Sequence, residues 1–211
     1  MTKLVLASSS AYRKQLLANI GIPVETYAPA IDETPLPDES PIDLATRLAS
    51  AKAQKVAHRY PEHIVIGSDQ VALVETSTGK HLLGKPGTVE NAVAQLKMCQ
   101  NKTVSFYTAL TVCRFAQTDS EARCVTQVEE TSVFFRQHSE AQLRAYVEAE
   151  RPLDCAGSFK CEGMGVLLFE RITSRDPNTL IGLPIMLLHN LLDKHFDIDL
   201  LDIATSRLAC V

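Results

Sequence analysis

No apolar run in the 211 residues approaches the roughly 18–20 needed to span a bilayer, so no membrane span is expected. A secretory segment is not expected either. Met1-Thr2-Lys3 is followed only by Leu4 to Ala7 before a serine run, too short for a signal's apolar stretch. The six cysteines form no Cys-x-x-Cys pair and have no Cys/His metal spacing. Structural zinc is not expected, and the thiols read most simply as reduced, in a cytoplasmic protein. Positive charge is not in excess: the net charge of −4 argues against bulk attraction to nucleic acid or to an anionic membrane. Repeats, low-complexity tracts and Gly/Ser linkers are absent, which leaves one domain over residues 1–211, with room for two lobes. Two common catalytic signatures are also lacking. There is no Gly-x-Ser-x-Gly elbow, and Thr78-Gly79-Lys80-His81 has neither the upstream glycine nor the following Ser/Thr of a phosphate loop.

What is present is an ordinary globular composition, 45% hydrophobic and 22% charged, long enough to bury a real core. Leu4 to Leu6 reads as a short buried strand, followed by Ser8-Ser9-Ser10 and a helical pattern (Tyr12, Leu16, Leu17, Ile20) that stops at Gly21. Val24 to Ala28 alternates as a second strand. Ser40-Pro41-Ile42-Asp43 starts a helix that Pro61 ends by Tyr60. Ile64 to Val74 carries two apolar runs interrupted at Gly67–Gln70, the pattern of a central strand covered on both faces. Leu82-Leu83 resumes a strand, Val89 to Met98 is an amphipathic helix, and residues 102–114 and 123–135 form a long hairpin around the polar link 117–121. Ser139 to Glu148 reads as a helix, Val166 to Phe169 as a strand, and Leu183 to Phe196 as the last substantial helix. The stretch from about residue 197 carries no motif and reads as a loosely held tail. Strand–helix units mixed with a hairpin predict an α/β fold with a mixed sheet.

Several residues carry possible chemistry. Serines leading into a helix present N–H groups and hydroxyls where an anion binds well, and Arg13 could close on the same anion; a plain capped turn uses the same residues. Asp69 follows a strongly apolar strand, where a carboxylate needs a partner or faces a crevice. Glu33, in a loop held by prolines, could join Asp69 on a divalent cation, or be solvated surface. Lys52 lies on an alanine-rich helix, and Lys85 sits between Gly84 and Pro86 as a fixed phosphate contact. Residues 155–165 hold three glycines around Glu162, and Asn178 to Pro184 leads into the last helix.

Together these segments resemble a known family. Leu-Ala-Ser-Ser-Ser-x-x-Arg from Leu6, Ile31-Asp32-Glu33, Arg47-Leu48-Ala49 with Lys52, Gly67-Ser68-Asp69-Gln70, Gly84-Lys85-Pro86, Ala156-Gly157-Ser158-Phe159-Lys160 with Glu162-Gly163, and Asn178 to Pro184 follow in the order found in the Maf family of nucleoside triphosphate pyrophosphatases. The resemblance implies an elongated mixed sheet flanked by helices around a deep cleft, similar to the inosine-triphosphate pyrophosphatases, and a homodimer. It implies metal-dependent (Mg, Mn or Co) hydrolysis between the α- and β-phosphates of a small-molecule nucleotide, with no nucleic-acid partner. By the same resemblance Asp69 is the proton acceptor, Glu33 a second acid, and Ser8, Arg13, Lys52 and Lys85 bind phosphate; Glu33 and Asp69 remain the candidate metal ligands.

At the positions of base selection, members acting on dTTP and UTP have Arg, Thr and Gln. This chain has Tyr12, Gln70 and Glu162, resembling the subfamily associated with 7-methyl-GTP. A cationic methylated ring favours an aromatic face, and a glutamate accepts from guanine's N1–H and amine. The competing expectations are a pyrophosphatase for another nucleotide of the dTTP/UTP kind, and a non-enzymatic nucleotide-binding regulator of cell division.

Overall fold

The computed structural model describes residues 3–115 and 123–208. In chain order its elements are β1 (Leu4–Leu6), α1 (Ala11–Asn19), β2 (Val24–Thr26), α2 (Pro41–Ala57), β3 (Ile64–Thr76), β4 (Gly79–Leu83), α3 (Val89–Cys99), β5 (Thr103–Arg114), β6 (Arg123–Phe135), α4 (Glu140–Glu150), β7 (Phe169–Thr173), α5 (Ile185–Phe196) and α6 (Leu200–Leu208). The strands form one mixed seven-stranded sheet in the order β2-β1-β3-β5-β6-β7, with β4 also on β3. β1 pairs in parallel with β2 and β3, while the β3, β5, β6 and β7 neighbours are antiparallel.

The organising feature is one edge of β3. Its first residues, Ile64 to Ile66, pair with β1, and Ala72 to Thr76 pair with β4 along that same edge. Between them residues 67–71 have no strand partner on that side. β1 runs toward this gap and leaves it through Ser8–Ser10 into α1. β4 runs toward it from the other end and leaves through Gly84 and Lys85. A crevice where two chains diverge from a central strand is where ligands bind in α/β sheets.

Two large apolar clusters lie on either side of the gap. One packs α1 and α5 on β1, the start of β3 and the end of β5 (Leu6, Leu17, Ile66, Leu110, Leu188). The other packs α3 and α4 against Val74, Phe106 and Phe135, with Phe159 set edge-on to Phe106, Phe135 and Phe169. α2 packs on the opposite face of the sheet, with Leu44, Ala45, Leu48 and Ala49 against Val71 and Ala109.

Small residues set how closely α2 approaches. A Cβ at Gly67 would lie 2.4 Å from the Ala49 carbonyl oxygen and 2.8 Å from the Ala53 Cβ. Gly67 is therefore a packing notch, not a break, and β3 runs through the expected interruption as one strand. Gly67→Ala is expected to lower stability by about 1–3 kcal/mol, the usual cost of overpacking, read as a lower urea midpoint with an unchanged slope.

Other differences from the sequence expectations have local causes. Residues 166–168, expected to be strand, belong to a 3-10 turn at Met164–Leu168, and the strand begins at Phe169. The helix expected to reach Tyr60 ends at Ala57, and residues 58–63 close it through turns. The expected loose tail contains α6, anchored by buried Leu200 and by Ile203 and Ala204 on the α1/α5 cluster. The thiols are not all reduced. Cys113 and Cys124 are register partners on β5 and β6, 4.2 Å apart between Cα atoms, and are joined as a disulfide. Hairpin register, not a spacing motif, brings them together. Cys99, Cys155 and Cys161 are free, while Cys210 and the link 117–121 lie outside the described residues. No described helix is long and apolar enough to cross a membrane.

Candidate active site

Asp69 occupies the unpaired stretch of β3 and is only 7% exposed. Strand alternation sends it to the α2 face, where Leu44, Leu48 and Lys52 form one buried stripe at intervals of a helical turn. Lys52 thus turns inward and meets its anions: Nζ lies 2.6 Å from Asp69 Oδ1 and 2.8 Å from Glu33 Oε1. One ammonium bridges two carboxylates.

Burial pushes Asp69 above the usual aspartate value. The charges of Lys52 and Arg13 oppose that shift and Glu33 adds to it. Burial also acts to raise Glu33. Its bond to Lys52 and the charges of Lys52, Lys85 and Arg13 outweigh this and hold it below the usual value. Two adjacent acids thereby titrate apart.

Glu33 depends on its loop. Arg47 forks onto Glu39, with Nε 2.6 Å from Oε1 and Nη2 2.8 Å from Oε2, and also donates to the Thr34 carbonyl. That clamp, chiefly the Arg47 bond, holds Glu39 at about 2 and ties the proline-rich segment to α2. Arg47 is therefore a structural residue, unlike its neighbour on the helix.

At the other border of the gap, Ser10 caps α1 by accepting from the Arg13 amide, and buried Ser8 accepts from the Ser10 amide. Arg13 reaches inward, with Nε donating to the Gly182 carbonyl (2.7 Å) and Nη1 to the Ser68 carbonyl (2.8 Å). Burial lowers its pKa, and Asp69 and Glu33 act against that shift. Two of its donors are thus committed to backbone. Gly182 serves this arrangement at φ +107°, where a side chain is strained and a Cβ would sit 3.1 Å from Arg13 Nε. The turn before it is held by fully buried Asp176, which accepts from the amides of Asn178 and Met186. Lys85, exposed at the end of β4, comes close enough to Glu33 to act on its charge. Arg13, Glu33, Lys52, Asp69 and Lys85 accordingly form one electrostatic cluster.

The three residues expected to read the base are less tightly joined. Tyr12, half-buried, has the Lys160 Nζ 5.9 Å from its ring centroid. Glu162 is exposed on the same loop as Lys160. Gln70 points to the face opposite Asp69, where its amide nitrogen donates to Thr108 Oγ1 (2.9 Å) and to the carbonyls of Thr179 (3.0 Å) and Leu180. It secures the turn that carries Gly182. Sequence inspection missed that polar row, completed by buried Glu129 on Thr179 Oγ1. The signal was strand alternation, which separates Gln70 from Asp69. A cavity of about 600 Å³ lined by Arg114, Arg123, Lys194, His195 and Phe196 lies elsewhere and contains none of these residues.

Among sequence families, the one described as Maf-like protein matches residues 3–195. A relative from Aliivibrio fischeri (strain ATCC 700601 / ES114), described as 7-methyl-GTP pyrophosphatase, is 44% identical over 193 residues, covering 92% of this chain and 96% of the relative. The solved structure of a HAM1 protein from Coxiella burnetii aligns over 100% of this chain and 98% of its own, at 14% identity and a TM-score of 0.39.

Proposed function

The chain belongs to the Maf family, and from that premise we propose that it is a nucleoside triphosphate pyrophosphatase hydrolysing 7-methyl-GTP to 7-methyl-GMP and diphosphate. The observation that carries the reading is buried Asp69, paired with Lys52 at the unpaired edge of β3 and within electrostatic range of Arg13 and Glu33. A pure binding module has no need of a carboxylate with a raised pKa beside its phosphate site. The relative's description supplies the substrate, and Tyr12 and Glu162 suit a methylated guanine.

The amides at the start of α1, with Ser8, bind phosphate oxygens as helix N-termini do. Arg13, Lys52 and Lys85 offset the triphosphate's charge. Asp69 accepts a proton from water as the water oxygen bonds to the α-phosphorus. The bond from that phosphorus to its bridging oxygen breaks, and diphosphate leaves. The raised pKa makes Asp69 a stronger base than an ordinary aspartate, and Lys52 keeps it ionised.

The proposal includes a divalent cation, and Glu33 and Asp69 fit one because they already share a single positive charge, the Lys52 ammonium. Among the described residues no group of three or more His, Cys, Asp or Glu side chains could hold a metal, so further ligands would come from phosphate oxygens and water. Such an ion, when bound, lowers the pKa of water and offsets phosphate charge. A homodimer, resting on the family resemblance, and a cytoplasmic location complete the proposal.

The test is diphosphate release from a panel of 7-methyl-GTP, GTP, dTTP and UTP with Mg²⁺, Mn²⁺ or Co²⁺. The highest kcat/KM is expected for 7-methyl-GTP. A higher value for dTTP or UTP rejects the substrate, and no release from any nucleotide rejects the activity.

A further inference from the structure

Lys160 approaches the ring of Tyr12. Its half-buried side chain extends from the glycine-rich loop to two places. Nζ donates to the Glu150 carbonyl at the end of α4 (2.7 Å), and it lies 5.9 Å from the Tyr12 ring centroid. Its backbone is fixed as firmly. The Lys160 amide donates to the Tyr146 hydroxyl, and its carbonyl accepts from the amides of Gly163 and Gly165. A Cβ at Gly165 would lie 2.4 Å from that carbonyl oxygen, so the loop closes tightly around Lys160. Glu162 stands inside this closed turn.

We propose that Lys160 is a specificity-determining residue that donates a hydrogen bond to the 6-oxo group of the guanine base. The inference rests on the 7-methyl-GTP reading. Guanine's pairing edge presents one acceptor, O6, beside two donors, N1–H and the 2-amine. Glu162 can only accept, so it serves the two donors and leaves O6 unmatched. Lys160, two residues away, can only donate. Its ammonium has three N–H groups, of which one goes to Glu150 and one faces the Tyr12 hydroxyl side. A base on Tyr12, at the usual aromatic spacing of about 4.5–7 Å between centroids, has its edge within reach of Nζ.

The ammonium stays charged. Burial acts to lower its pKa, but the bond to Tyr12 and the fields of Tyr12, Cys155 and Asp154 raise it overall. Asp154 and Glu162 also offset the repulsion between this ammonium and a cationic methylated ring. A base with an amine at position 6 would set donor against donor and be rejected.

The experiment compares two analogues in wild type and in Lys160→Met. In 7-methyl-6-thio-GTP a weak sulfur acceptor replaces O6 and N1–H is kept, whereas 7-methyl-ITP keeps O6 and lacks the 2-amine. Wild type is expected to disfavour the 6-thio compound by about tenfold or more in kcat/KM, as for a lost hydrogen bond to a charged group. Lys160→Met should lose that discrimination while keeping its preference against 7-methyl-ITP, and Lys160→Arg should retain both. A Lys160→Met protein that discriminates against the 6-thio compound as strongly as wild type overturns the assignment. So does a uniform fall for all three nucleotides, which marks a merely structural lysine. If wild type prefers UTP or dTTP, the substrate reading falls and the inference falls with it.

Discussion

Asp69→Asn is expected to lower kcat for 7-methyl-GTP by about 10²–10⁴-fold, the usual contribution of a positioned general base, with KM changed little. Asparagine keeps the shape and can still accept from Lys52, so α2 and β3 should stay in place. What it cannot do is take the proton from water. The same group sets a pH signature. Because burial raises the Asp69 pKa in the free enzyme, wild-type kcat/KM should fall on the acid side through a midpoint above the ordinary aspartate value. The activity is present above that raised pKa and lost as pH drops through it. Steady-state kinetics from about pH 4 to 9 check both statements, with 3.9 as the ordinary reference. An Asp69→Asn enzyme with full metal-dependent turnover would remove Asp69 from the chemistry. A wild-type acid limb at the ordinary aspartate value would mean that another group governs the rate.

Much of this arrangement was legible in the sequence. Ser40-Pro41 starts α2 where capping chemistry predicts, and the two halves of the β5–β6 hairpin match their alternating runs within one residue. Asp69 was legible because a carboxylate after three apolar strand residues needs a partner. Lys52 was legible only as half of a pair, since a helical lysine is solvated by default until its helix is seen to lean on a sheet. The rest depended on long-range geometry. Gly67 reads as punctuation in sequence, but its reason is the Ala49 carbonyl eighteen residues away. Gln70 was expected among the base-selecting positions with Tyr12 and Glu162; strand geometry sends it to the face opposite Asp69, where it bonds Thr108 and the Thr179 carbonyl. Arg13 looked like a free anion clamp, yet two of its donors hold the backbone of Ser68 and Gly182. The Cys113–Cys124 bond required the register of a hairpin whose link carries no register signal.

Lys52→Met carries the second large expectation, because it removes the cation from a pair that burial makes interdependent. Methionine can follow the lysine stem along α2, so packing is largely kept. Asp69, 7% exposed, is then left without the ammonium 2.6 Å away. Breaking a buried pair by removing one partner costs about 3–5 kcal/mol when the remaining charge stays ionised. Asp69 has a route to relief: its pKa, already raised by burial, rises further once Lys52 no longer opposes the shift. A carboxyl with a raised folded-state pKa binds protons more tightly in the native state than in the unfolded one. Stability therefore falls as pH climbs from the unfolded value toward the folded one. The deficit of Lys52→Met relative to wild type should accordingly be larger at pH 8 than at pH 5, measured by urea unfolding at each pH. Turnover should be lost as well, because the triphosphate loses one of its three countercharges. Adding Asp69→Asn to Lys52→Met separates the two effects. The double variant should recover most of the stability at pH 8 and none of the activity, with a coupling energy that marks the pair as interacting. Equal losses at both pH values, or additive stabilities, would show that Lys52 contributes through packing and not through its charge on Asp69.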